Sequence, residues 1–186
     1  MKNKFLLILL MLPFFIISCN SDEDDPFLIT ANQVGALKKE VKINQLDSIY
    51  PDDSIVTKRS GAELLQSTDE VRIYEKGGKP LLELEPLQEF DSTSTIGYIR
   101  ILDPRFETKA GLNTNSTFKD IVENYNISRI ENTLNAAVVF LDEINAYITI
   151  DKKQLPASLR YDTDSKIRAS QIPDDAKIKY FMIYWN

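Results

Sequence analysis

Few residues in this chain have types and spacing that could do chemistry. Ser116-Thr117-Phe118-Lys119 sets a lysine three positions after a serine. On a helix that spacing brings the amine over the hydroxyl, where it could take the proton and leave a nucleophile. Asp162-Thr163-Asp164-Ser165 offers oxygens at alternating positions, as the first half of a calcium loop does. Cys19 is the only cysteine in 186 residues, and the chain contains no histidine. Histidine-based triads, Cys–His nucleophiles and most transition-metal sites are thereby removed.

Each motif has a simpler account. Ser116-x-x-Lys119 matches the signature of serine β-lactamases and penicillin-binding proteins. No Ser-Asp-Asn follows it, however, and Lys76-Gly-Gly78 and Lys109-Ala-Gly111 precede the serine instead of trailing it. Only 67 residues remain after Lys119. Ser116 or Thr117 is better read as a helix cap, with Asp120 completing a capping box in place of glutamate. The aspartate run continues with Lys166 and Ile167 where a calcium loop needs another oxygen ligand and glycine, so a turn closed by side-chain hydrogen bonds is expected. No catalytic residue, metal ligand or cofactor is assigned. Carboxylate pairs remain available among 28 acids, although charges on alternating strand positions usually mark a solvent face.

Cys19 has a different use. Lys2 and Lys4 precede an apolar run from Phe5 to Ile17, too short to span a bilayer and matching the apolar region of a secretory signal. The run closes with Ile16-Ile17-Ser18-Cys19, which resembles the lipobox of bacterial lipoproteins. The resemblance implies cleavage after residue 18, acylation of Cys19, palmitate among its chains, and a membrane anchored through that lipid. Residues 19–26 then form an acidic tether. Within it, Ser21, Asp22, Glu23, Asp24 and Asp25 are similar to the surface-export signal of some Gram-negative lipoproteins, and a solvated spacer accounts equally for them. The expected location is the cell envelope, at the outer membrane and exposed on the surface.

Loss of residues 1–18 takes two of the 22 basic residues and none of the 28 acidic ones, leaving a net charge of −8. That argues against nucleic acid and against a basic membrane-binding face. Residues 27–186 suffice for one domain with a real core.

Periodicity predicts an α+β domain, mainly antiparallel sheet with two short amphipathic helices. Phe27–Thr30 reads as a strand. Ile43, Leu46, Ile49 and Tyr50 fall at helical spacing before Pro51, and Ile55-Val56 opens a strand. Glu70–Glu75 and Pro80–Glu85 form a hairpin across Lys76-Gly-Gly-Lys79, and Thr95–Leu102 follows as a strand. Arg105–Leu112 reads as loop. Phe118, Ile121, Val122 and Tyr125 make the inward face of the second helix. Ile127–Glu131, Ala136–Leu141 and Ala146–Ile150 read as strands, the last two turning at Asn145. Lys152–Pro173 reads as loop with one helical turn. Lys177–Trp185 is expected as a strand inside the sheet, with core on both of its faces.

At an offset of 75 residues, Leu37 meets Leu112, Ile43 meets Phe118, Leu46 meets Ile121, Tyr50 meets Tyr125 and Ile55 meets Ile130. The pattern predicts a duplicated helix–strand unit. Helix followed by meander, carried by Gly111-Leu112 and Ser116–Ile121, resembles two groups of small envelope proteins. These are the SmpA/OmlA-type assembly lipoproteins and the β-lactamase-inhibitor-like proteins. The likeness covers about a quarter of the chain.

The function expected is a lipid-anchored envelope module that binds, inhibits or scaffolds an envelope protein or polymer without catalysis. The competing expectation is an envelope hydrolase using carboxylates or a Ser–Lys pair.

Overall fold

Alternation builds the large sheet. In Glu70–Tyr74 and Pro80–Pro86 the apolar residues Val71, Ile73, Leu82 and Leu84 fall on one face and are buried. The two strands turn back on each other at Gly77 and Gly78, whose φ values of 115° and 90° suit glycine. The computed structural model describes residues 25–58 and 70–185. Residues 1–24, which include the expected signal segment, Cys19 and Ser21–Asp24, lie outside the described residues.

In chain order the strands of the first half are β1 (Leu28–Thr30), β2 (Gln33–Val34) and β3 (Leu37–Lys38), then β4 (Ser54–Lys58), β5 (Glu70–Tyr74), β6 (Pro80–Pro86) and β7 (Ile96–Ile101). Between β3 and β4 a 3-10 turn at Ile43–Gln45 runs into α1 (Leu46–Ile49). The second half holds β8 (Glu107–Thr108), α2 (Phe118–Asn124), β9 (Arg129–Asn132), β10 (Ala136–Leu141), β11 (Ala146–Asp151), α3 (Ala157–Arg160) and β12 (Tyr180–Tyr184). The eight-stranded antiparallel sheet has the order β4-β5-β6-β7-β12-β11-β10-β9. A small sheet, β3-β2-β1-β8, packs with the helices on its apolar face. The fold is therefore α+β and mainly antiparallel.

The sheet is two four-stranded meanders joined at β7 and β12. Arg100 and Met182 pair at the middle of that seam, flanked by Ile101↔Phe181 and Ile99↔Ile183. The offset of 75 survives in the backbone. Lys42 bridges to Thr95, and Thr117 bridges to Lys177. The Lys42 N–H donates to Gln45 Oε1 at 2.9 Å, and the Thr117 N–H donates to Asp120 Oδ2 at 2.7 Å. In both halves the first helical N–H groups donate to the segment leading into the last strand: Ile43 to Ser94 and Phe118 to Ala176. Beyond the first strand of each half the loops differ in length, and the constant offset is lost.

Three expectations need correction. Arg105–Leu112 is not all loop, because Glu107 and Thr108 form β8, which pairs in parallel with β1; two residues are too few to show a period. Val122 is 50% exposed. In so short a helix a narrow stripe, Phe118 and Ile121, reaches the core. Finally, β12 has core on one face only. Phe181, Ile183 and Trp185 are buried, while Tyr180, Met182 and Tyr184 lie on a face that no other element covers among the described residues.

Gly35 and Trp185 fix the small sheet. A side chain at Gly35, where φ is 55°, would collide with the Pro26 carbonyl and the Phe106 ring. Trp185 Nε1 and Asn145 Nδ2 both donate to the Ala31 carbonyl, at 3.0 and 3.1 Å.

Asp103 holds the corner after β7, with its side chain 0% exposed. Lys79 Nζ and Arg105 Nη2 each donate to Oδ2 at 2.8 Å, and the Arg105 N–H donates to Oδ1 at 2.9 Å. Burial alone would raise this carboxyl, but the hydrogen bonds from Arg105 and Lys79 outweigh it and hold it well below the usual carboxylate range. A native value below the unfolded one means the stabilisation is complete above about pH 5 and fades as pH falls through the ordinary carboxylate range. Asp103→Ala should cost roughly 2–4 kcal/mol, less than a wholly buried pair because both cations are half-exposed. Urea melts between pH 3 and 7 check this; the variant's acid limb should be flatter than the parent's.

Candidate functional site

The open face of the large sheet carries the chemistry. Its cross-strand pairs form one row through all eight strands: Val56↔Arg72↔Glu83↔Arg100, then Met182↔Tyr147↔Phe140↔Arg129. Side chains opposite one another in an antiparallel sheet touch, so the row is a line of contacts. It divides at the seam between the meanders.

One half is ionic. Arg72 Nη2 meets Glu83 Oε2 at 2.8 Å, and Arg100 Nη1 meets Glu83 Oε1 at 3.4 Å. The Arg100 guanidinium also lies 4.1 Å over the Tyr180 ring.

The other half is aromatic. Phe140 and Tyr147 stand 5.7 Å apart between ring centres, and Tyr147 stacks on Tyr184 at 6.4 Å. Arg129 covers Phe140 at 3.4 Å, and its Nη1 lies 3.8 Å from Asp142 Oδ1. Tyr184 donates its hydroxyl to the same carboxylate oxygen at 3.2 Å. Glu85 and Tyr98 complete the wall, paired across β6 and β7, with Tyr98 paired in turn to Tyr184. Together these residues line a shallow cavity of about 600 Å³.

Electrostatics set the protonation states here. Burial, and then the charges of Glu83, Glu70 and Glu89, raise the Glu85 carboxyl above its usual range. Burial and the neighbouring Glu85 raise the Tyr147 hydroxyl, and burial and Asp142 raise that of Tyr184. Both phenols therefore stay protonated donors at neutral pH, beside a Glu85 carboxyl that gains a proton more easily than an ordinary glutamate.

The residues singled out in the sequence lie elsewhere. Ser116 is buried and its Oγ accepts the Asn113 N–H at 3.1 Å. Thr117 caps α2, its backbone N–H and hydroxyl both donating to Asp120. Lys119 is exposed and pairs with Glu123 at 3.5 Å, so the serine and lysine do not form a catalytic pair in this structure. Asp162 Oδ1 accepts the Asp164 and Ser165 N–H groups at 2.9 and 3.0 Å, closing the expected turn. Among the described residues, no group of three His, Cys, Asp or Glu is placed to hold a metal ion. Asp25 is exposed, and its Oδ1 accepts the Phe27 N–H at 2.9 Å.

Sequence reading passed over Glu85, Tyr98, Arg129, Phe140 and Tyr147. The available signal was aromatic residues, where a plain solvent face has only charge, at the outward positions of four adjacent strands.

These features define an α+β domain with a helix-covered back and an open aromatic and ionic front. The uncharacterized protein yfeY from Escherichia coli has a similar fold, with a TM-score of 0.53 at 13% identity. The match covers 84% of this chain and 98% of that one. No protein-family model matches the sequence, and no curated protein matches it.

Proposed function

We propose that this chain is a lipid-anchored cell-envelope module, tethered through Cys19, that binds a partner protein through the open face of its large sheet and does not catalyse a reaction. The carrying observation is the half-face of Phe140, Tyr147, Tyr184 and Arg129. Tyrosine, other aromatics and arginine are the side chains that concentrate binding energy at protein interfaces, because they present large contact area with few torsions to freeze. Stacked rings and a hydrogen-bonded Tyr184 hold this set in place before any partner arrives, which lowers the ordering cost of association. In this reading Ser21, Asp22, Glu23, Asp24 and Asp25 serve as the export signal that puts the module on the cell surface.

The second reading, an envelope hydrolase, is favoured by Glu85 and Asp142 lining one cavity. The raised Glu85 carboxyl suits an acid, whereas Asp142 is already engaged by Tyr184 and Arg129.

One experiment addresses both. The parent, Tyr147→Ala, Tyr184→Ala and Glu85→Gln are compared by cross-linking in intact envelopes and by incubation with peptidoglycan fragments. The tyrosine variants should lose the partner cross-link roughly 30-fold, as for interface hot spots, with unchanged melting temperature. An undiminished cross-link would refute the face assignment. Turnover of fragments by the parent that Glu85→Gln abolishes would replace the binding reading with the hydrolase.

A further inference from the structure

A second cavity, of about 510 Å³, lies at the end of the sheet where β11 finishes and β12 begins. It is lined by Lys152, Lys153, Arg160 and Lys179, against the single carboxylate of Asp151. The chain as a whole carries a net negative charge, so this cavity inverts the local sign.

Lys152 is the informative residue. It is 3% exposed, and its Nζ donates to the Asp162 carbonyl at 2.7 Å. Among the described residues it has no ion pair. Its buried ammonium is hydrogen-bonded to one neutral carbonyl, and the nearby Asp162 carboxylate feels its charge without a direct ion pair, so an anion entering the cavity would supply the direct charged partner it lacks. The donors beside it are unspent. Lys153 Nζ has no hydrogen bond or ion pair among the described residues. Arg160 uses only its Nε, to the Leu155 carbonyl at 2.8 Å, which leaves its terminal nitrogens free. Lys179 alone is neutralised, by Asp151 at 3.0 Å.

The rim adds apolar surface. Tyr161 is 93% exposed and Leu134 is 74% exposed, and both line the cavity. Asn132 Nδ2 donates to the Asp162 carbonyl at 2.9 Å, alongside Lys152, so the loop that follows Tyr161 is pinned to the sheet.

We infer that this cavity binds a phosphate monoester, the phosphate on Lys152, Lys153 and Arg160, and the organic group against Tyr161 and Leu134. A dianion matches several cations better than a carboxylate does, and the arginine fork can hold two phosphate oxygens at once. The same chemistry is offered by a soluble phosphate ester and by a phosphatidic-acid headgroup.

The test titrates the full chain, in neutral detergent, with inorganic phosphate, phenyl phosphate, monomeric dihexanoylphosphatidic acid and phenol, followed by calorimetry. Phenyl phosphate should bind at least fivefold tighter than inorganic phosphate, and phenol should not bind. Lys153→Gln and Arg160→Gln should each weaken phenyl phosphate five- to tenfold. Tyr161→Ala should bring it down to the level of inorganic phosphate. Lys152→Met should abolish binding; the two exposed-cation variants decide the matter if that chain fails to fold. Tighter binding of dihexanoylphosphatidic acid than of phenyl phosphate assigns the site to a lipid headgroup, and the reverse order assigns it to a soluble ester. No binding of any phosphate at millimolar concentration, or binding that ignores Lys153→Gln and Arg160→Gln, overturns the site.

Discussion

Cys19→Ser is expected to move the protein wholly out of the mature, membrane-held pool. Under the proposed lipid anchoring the cysteine sulfur is the acyl acceptor, and serine at that position offers none. Each buried acyl methylene contributes ~0.8 kcal/mol, so two or more chains hold a domain of this size at the bilayer essentially for good. The parent should sediment with membranes and carry the mass of its acyl groups. The variant should be soluble, or should keep residues 1–18 uncleaved. Mass spectrometry of the fractionated protein reads both quantities. A variant processed and sedimented like the parent would show that something other than this cysteine does the anchoring.

The second large effect is expected at Phe118. A seven-residue helix such as α2 is marginal by itself, so its persistence depends on what it packs against. Phe118 is 1% exposed and sits in the main core. Removing the ring leaves a cavity in that core, at a cost of ~3–5 kcal/mol. For a domain of this size that lowers Tm by roughly 6–20 °C. Lys119→Ala, one residue along, should change Tm by no more than about 2 °C, because its pair with Glu123 is an exposed surface pair. Paired thermal melts settle the comparison. A mild Phe118→Ala would mean that α2 does not depend on its buried stripe.

The sequence disclosed the strands better than the face that matters. Val71, Ile73, Leu82 and Leu84 announce a half-buried hairpin because one side of each strand is apolar and the other charged. Strand β12 misled because both of its sides are aromatic: Phe181 and Ile183 face the core while Tyr180 and Tyr184 face out. Hydrophobicity alone does not distinguish a ring under a helix from a ring on a wet platform. What separates them is how many layers the fold has, and that is decided by where α1, α2 and the small sheet pack. Two-residue strands such as β8 were beyond reach for a different reason, since their pairing is set by partners far along the chain. The helix cap at Thr117 was readable because its hydrogen bonds are local.

The seam between β7 and β12 has a consequence for how the chain folds. Within each meander the strands are joined in chain order, so most of their pairing is local. The seam is different: Ile101 must find Phe181, and Tyr98 must find Tyr184, at sequence separations of 80 and 86 residues. Closing so long a loop is slow, and it is rewarded only after both sides have formed. The docking of the two halves is therefore the step expected to limit the folding rate. Until it happens each half shows a bare, apolar strand edge that can equally accept the matching edge of another molecule. Refolding yield should fall as protein concentration rises, with dimers in which β7 of one chain has paired with β12 of its neighbour.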